Sequence, residues 1–231
     1  MARILPIVAL LLLLTLALLP AGSAATTHKV VVSKKAPFVG SAVFFTSRHH
    51  VYSGCGTYSI PHKPVFNLTR GVVRWSAEVA AACGVGDAVQ YVTAGVDQLN
   101  FTVTANGSYN AFANWSVSGG LRYNLSSNGS ASVGLVAEAC VQDLTLGSPC
   151  TFSSGHSISL GTVGNGAGVK NFTFLVDQHF GGILVAGRMY SFTVAMFSHL
   201  QVGSTGGYSA ATLDLWSGTY GARLISVKLT T

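Results

Sequence analysis

Along much of the chain, apolar and polar residues alternate with a period of two. Val73, Trp75, Ala77, Val79 and Ala81 share one parity, and Arg74, Ser76 and Glu78 share the other. Successive side chains of an extended strand point to opposite faces, so this segment reads as a strand with one buried face. The pattern returns at Leu99, Phe101 and Val103, from Tyr109 to Val117, at Leu121, Tyr123 and Leu125, and from Ala131 to Ala139. Three short segments ending in glycine separate these runs: Ala105-Asn106-Gly107, Ser118-Gly119-Gly120 and Ser127-Asn128-Gly129. Three-residue hairpin loops with glycine in the left-handed position would set Val103 opposite Tyr109, Val117 opposite Leu121 and Leu125 opposite Ala131. The apolar faces then match, which predicts a four-strand meander around residues 99–141.

Further strands are expected at Ser41–Ser47, Ala88–Val96, Val169–Asp177, Met189–Leu200, Ala210–Trp216 and Arg223–Leu229. Residues 51–67, with Gly54, Gly56, Pro61 and Pro64, read as a long loop. Residues 151–168 are turn-rich, a place where two subdomains could meet, although a single domain fits better. No segment carries a capped amphipathic helical pattern. So many half-buried strands can cover their apolar faces only by packing two sheets or closing a barrel. The predicted fold is all-β, an antiparallel β-sandwich of jelly-roll type spanning residues 25–231.

Composition adds the compartment. A basic start at Arg3, an apolar run from Ile4 to Leu19 and the small residues Ala21 to Ala25 follow the order of a secretion signal, residues 1–24, with cleavage after Ala24 or Ala25. The run is shorter than the roughly 20 residues that span a bilayer, and no second run of spanning length follows. An extracellular or cell-surface location is therefore expected, with no transmembrane segment in the mature chain. In an oxidising compartment the four cysteines are expected to pair. Cys140 with Cys150, across a Leu146-Gly147-Ser148-Pro149 turn, leaves Cys55 with Cys83.

Seven of the nine asparagines open an N-x-S/T sequon: Asn67, Asn100, Asn106, Asn114, Asn124, Asn128 and Asn171. That is more than chance placement gives, and alternation puts four of them on the parity the apolar residues do not use. These seven are the expected N-glycosylation sites.

Charge is scarce, 9% of residues, and uneven. Lys29, Lys34, Lys35, Arg48, Lys63, Arg70 and Arg74 fall in one stretch that holds no acidic residue. Such a stretch could meet carbohydrate or an anionic cell-surface polymer. Nucleic acid is not an expected partner, because no basic-aromatic recognition motif is present. His49, His50 and His62 flank Cys55, but their spacing matches no metal-ligand pattern, so neither metal nor cofactor is expected.

Catalysis by paired carboxylates has Glu78 and Glu138 as its best candidates among seven acidic residues, and no G-x-S-x-G elbow is present. Trp75 and Trp115 follow the apolar parity and read as core, whereas Trp216 breaks it with Tyr208 and Tyr220 nearby. Those three could form an aromatic platform for a sugar. The sequence thus points to a secreted or cell-surface glycoprotein domain with a non-catalytic structural, adhesive or ligand-binding role, carbohydrate being one ligand class. The alternative is a secreted glycan-active enzyme.

Overall fold

The structure, a computed structural model, describes residues 30–38, 41–52, 56–81, 86–148 and 150–231. The signal segment, Cys55 and Cys83 lie outside the described residues. The strands are β1 Val30–Lys34, β2 Ala42–Tyr52, β3 Gly56–Asn67, β4 Val72–Ala81, β5 Gly86–Thr102, β6 Gly107–Asp143, β7 Cys150–Leu184, β8 Met189–Ser204, β9 Ser209–Asp214 and β10 Gly221–Thr230. The fold is all-β and sandwich-like, and its strand pairs are antiparallel. Among the described residues no helix is long and apolar enough to cross a membrane.

The neighbour order is β1-β10-β4-β9-β6-β8-β5-β2, with β3 beside β4 and β7 beside β6. A further pairing of β10 with β6 closes a four-strand ring of β6, β10, β4 and β9. One hydrophobic core runs through the molecule, and Trp75 and Trp115 are fully buried in it. Trp75 Nε1 donates to Ser198 Oγ at 3.1 Å, joining β4 to β8 through the interior.

The meander is the principal correction. Residues 107–143 form one strand, β6, which pairs with β7 from Gly107↔Leu184 to Gln142↔Cys150. Its other flank is taken by β10 along Asn110–Ser118, by β9 along Gly120–Asn124 and by β8 along Ser130–Asp143. A three-residue loop and an unbroken strand both preserve parity, so alternation cannot tell them apart. The glycines nevertheless mark real events, because β6 changes neighbour at Gly119-Gly120 and again at the register shift between Leu125 and Gly129. At Gly119 a Cβ would collide with the Leu215 side chain and come within 2.7 Å of the Phe172 ring, which explains the residue without any chain reversal. Val103 and Tyr109 are not paired either, since β5 runs between β2 and β8.

Two expected loops are strands. β3 occupies most of residues 51–67 as an edge strand on β4, and its two register shifts fall between Ser59 and His62 and between His62 and Val65. Pro61 and Pro64 sit in those shifts, where a strand tolerates a residue with no N–H to give. Residues 151–168 lie within β7, so the sheet runs on through the stretch where a boundary was considered. The remaining strand expectations hold with shifted ends. Cys140 is bridged to Cys150 with Cα atoms 5.5 Å apart, stapling the tip of the β6–β7 hairpin.

Candidate functional site

The outer face of β2, β5, β8 and the second half of β6 carries a sequon only at its margin, Asn100 in the row of Ser191 and Gln142. Register sets its side chains in rows. Arg48 lies opposite Tyr91, Tyr91 opposite His199, and His199 opposite Gly134. The next row runs Thr46, Thr93, Phe197, Val136 and Ser157. A third runs Phe44, Gly95, Ala195, Glu138 and Gly155.

The rings of the first two rows stack across strands. The Arg48 guanidinium lies 4.8 Å from the centroid of Tyr91. Tyr91 stacks on His199 at 5.1 Å with 10° between planes, and on Phe197 at 5.8 Å. Burial pushes the His199 imidazole below its usual pKa, which favours the uncharged ring. In the third row the residues are small. A Cβ at Gly95 would meet Phe44 Cζ at 2.8 Å, so the Phe44 ring lies across the sheet where Gly95 has no side chain.

Two cavities open on this face. One of about 350 Å³ is lined by Thr46, Ser47, Arg48, Tyr91, Thr93, Glu138 and Phe197. The other, of about 420 Å³, is lined in part by Phe44, Thr93, Glu138, Gly155 and Ala195, and reaches the Cys140–Cys150 bridge. Thr93 and Glu138 belong to both, so the two form one trench. Among the described residues the ion pairs are Arg122 with Asp214 and Arg188 with Asp143, which leaves the Arg48 and Glu138 side chains uncommitted. A trench with aromatic and small apolar walls, a carboxylate acceptor at its centre and threonine hydroxyls suits a polyhydroxylated ring, which offers C–H faces to aromatics and O–H groups to acceptors.

The three aromatic residues expected to form a platform take different neighbours. Tyr208, well exposed, lines a separate groove of about 320 Å³ with Tyr58, Glu78 and Thr212. Trp216 stacks on His62 at 4.6 Å, and the Nδ1 of His62 meets Ser76 Oγ at 2.9 Å. Tyr220 donates its hydroxyl to Asn171 Oδ1 at 2.9 Å. The groove at Tyr208 lies beside Asn124, which pairs with Ala210 on its wall.

Glu78 and Glu138 line different grooves, so the carboxylate pair considered for glycan cleavage does not converge on one cavity. Glu78 accepts a hydrogen bond from Ser59 Oγ at 3.1 Å. His49 stacks on Tyr58 as His62 does on Trp216, and no group of three or more His, Cys, Asp or Glu among the described residues could hold a metal.

Six of the seven sequon asparagines are exposed and Asn114 is half-buried; none is buried. Asn114 lies where β6 pairs with β10, Asn171 lies opposite Gly120 where β9 takes over, Asn124 and Asn128 follow along β6, and Asn67 and Asn106 sit at strand ends. Asn100 stands at the far end of β5, opposite Ser191 and beyond the trench. Tyr91 and Phe197 are the residues that sequence reasoning missed. Their signal was present, as aromatics on the polar parity: Val92 and Ala94 flank inward beside Tyr91, and Met196 and Ser198 beside Phe197.

Fold and site together describe an all-β domain with an open sheet-face trench. No family model matches the chain, and no curated protein matches it. Among solved structures it is similar to the enzymatically active domain of bacteriophage CBA120 tailspike protein 4, at 12% identity over 85% of this chain and 21% of that one, with a TM-score of 0.24. It is similar to TmCBM61, solved with β-1,4-galactotriose, at 11% identity over 75% of this chain and 86% of that one, with a TM-score of 0.19. The arabinose-bound α-L-arabinofuranosidase MgGH51 gives 13% identity over 76% of this chain and 23% of that one, with a TM-score of 0.18. TM-scores this low carry no function to the present chain.

Proposed function

We propose that this chain is an exported, N-glycosylated, non-catalytic domain that binds carbohydrate in the trench over β2, β5, β8 and β6. The observation that carries the proposal is the coincidence of three features on one face. Stacked Tyr91 and Phe197 stand there, Glu138 joins two cavities with no ion-pair partner among the described residues, and the sequons lie elsewhere or at the margin. Export rests on the leader-like start of the chain and the bridged Cys140–Cys150 pair, and glycosylation on seven unburied sequons. A sheet face binds without moving parts, and aromatic stacking with a few hydrogen bonds gives the modest affinity per site that an adhesive surface multiplies by repetition.

The test is a glycan array probed with protein secreted from a eukaryotic host. Binding to a defined set of oligosaccharides is expected, with Phe197→Ala weakening it at least tenfold while the thermal midpoint of the half-exposed site stays close to wild type. Self-assembly without glycan binding would shift the role to a scaffold, and glycan binding that ignores Phe197 and Tyr91 would move the site off the trench.

A further inference from the structure

Resting on that reading, the geometry points to the class of sugar: we infer that the trench takes an oligosaccharide carrying an anionic group, a uronate, sialate or sulfate, at its Arg48 end. Arg48 is uncommitted to any carboxylate among the described residues, and its guanidinium is held over the Tyr91 ring at 4.8 Å. A guanidinium fixed in this way has already given up much of its rotamer freedom, and its planar fork matches the two oxygens of a carboxylate or sulfate.

The other charged group of the trench is Glu138, and the two sit at opposite ends of the same cavity. The Arg48 guanidinium lies over Tyr91 of β5, and from β5 to the Glu138 strand there are two interstrand steps, roughly 10 Å at the usual spacing, which is more than one sugar ring covers. A ligand that reaches both is therefore an oligosaccharide, and the two charges give it a direction. The anion sits at Arg48, because at the other end Glu138 would repel it. Hydroxyl or amide N–H groups sit at Glu138, which accepts and does not donate when ionised. His199, the remaining titratable group facing Tyr91, is kept toward its neutral form by burial and adds no competing charge. Thr46 and Thr93 line the space between and offer hydroxyls of either sense.

The experiment uses the secreted full chain on an array that sets uronate-, sialate- and sulfate-bearing oligosaccharides beside their neutral counterparts, followed by titration of the best pair at low and high salt. Acidic members are expected to bind about tenfold better than neutral ones, with the preference shrinking as salt rises. Arg48→Gln should lower the acidic member about tenfold, to the level of the neutral one, and lower the neutral member by much less. Phe197→Ala should lower both members together. If neutral and acidic sugars bind alike, or Arg48→Gln lowers both equally, the anion assignment is wrong while sugar binding in the trench stands. If no sugar binds, the carbohydrate reading itself falls; if binding ignores Phe197, the trench falls as its site; in either case the assignment falls with it.

Discussion

Asp143 and Asp214 occupy equivalent positions, each closing a strand and each tied to an arginine. Burial alone would raise both carboxyls. At Asp143 the Arg188 guanidinium at 3.0 Å and the backbone N–H groups of Leu146 and Thr145 outweigh it, and the carboxyl is held below its usual range. At Asp214 Ser217, the N–H groups of Ser217 and Trp216, and the charge of Arg122 do the same. A depressed folded pKa means that the unfolded chain binds protons first on acidification. The stability these carboxylates contribute is therefore present above the unfolded value, about pH 4, and is lost as pH falls through the folded one. His199 works in a different window. Its folded pKa lies below about 6.5, so stability declines as pH drops under that value and stops declining once the folded ring also protonates. Urea midpoints at pH 7.5, 5.5 and 3.5 should fall in two steps. His199→Gln is expected to flatten the first step and Asp143→Asn to reduce the second. An unchanged pH profile in either variant would show that its group does not carry that step.

Periodicity located most strand positions because burial on one face is a local property. It failed where neighbours decide. The parity of β6 runs unbroken past Gly119 and Gly120, and only the presence of β10, β9 and β8 on its flank distinguishes one long strand from three hairpins. At β3 the prolines argued for a loop, but an edge strand with two bulges accommodates them because its outer N–H groups have no ladder partner to lose. Gly119 is where the element-level account can be put to the test. In a hairpin turn, a valine there would cost at most a strained loop residue. In the observed strand its Cβ meets Leu215, Phe172 and the Asp214 carbonyl at once, with backbone on one side that cannot rotate away. Gly119→Val is therefore expected to destabilise by about 3 kcal/mol or more, in the range of strong overpacking of a buried site. Gly206→Val, where no atom lies within 4 Å, is the control and should stay within about 1 kcal/mol of wild type. Equal urea midpoints for the two would contradict the packing at the partner change.

Across the whole molecule the trench was hidden from sequence reasoning for a different reason. Arg48, Tyr91, Glu138 and Phe197 each sit on the polar parity of their own strand, but what brings them together is the order β2-β5-β8-β6, a set of non-local pairings that no single stretch of sequence contains. Tyr208, Trp216 and Tyr220 showed the opposite error, being close in sequence and divided among three neighbours in space. The division between a sequon-bearing surface and a bare one can be tested by reversing it. Ser157 is exposed at the β7 margin of the bare face, opposite Val136 in the row that holds Phe197 and Thr93, and Ser159 follows two residues later. Ser157→Asn therefore completes a sequon beside the trench with no buried side chain disturbed. In a glycosylating host this variant should gain the mass of one glycan, keep its urea midpoint, and lose binding to the oligosaccharides that the wild type selects. Enzymatic removal of the glycan should restore binding. Asn124→Gln, which removes the sequon beside the Tyr208 groove, should lose the mass of one glycan and keep binding. A Ser157→Asn protein that carries its glycan and still binds as well as wild type would place the ligand elsewhere, and the groove of Tyr58, Glu78 and Tyr208 would then be the next surface to block.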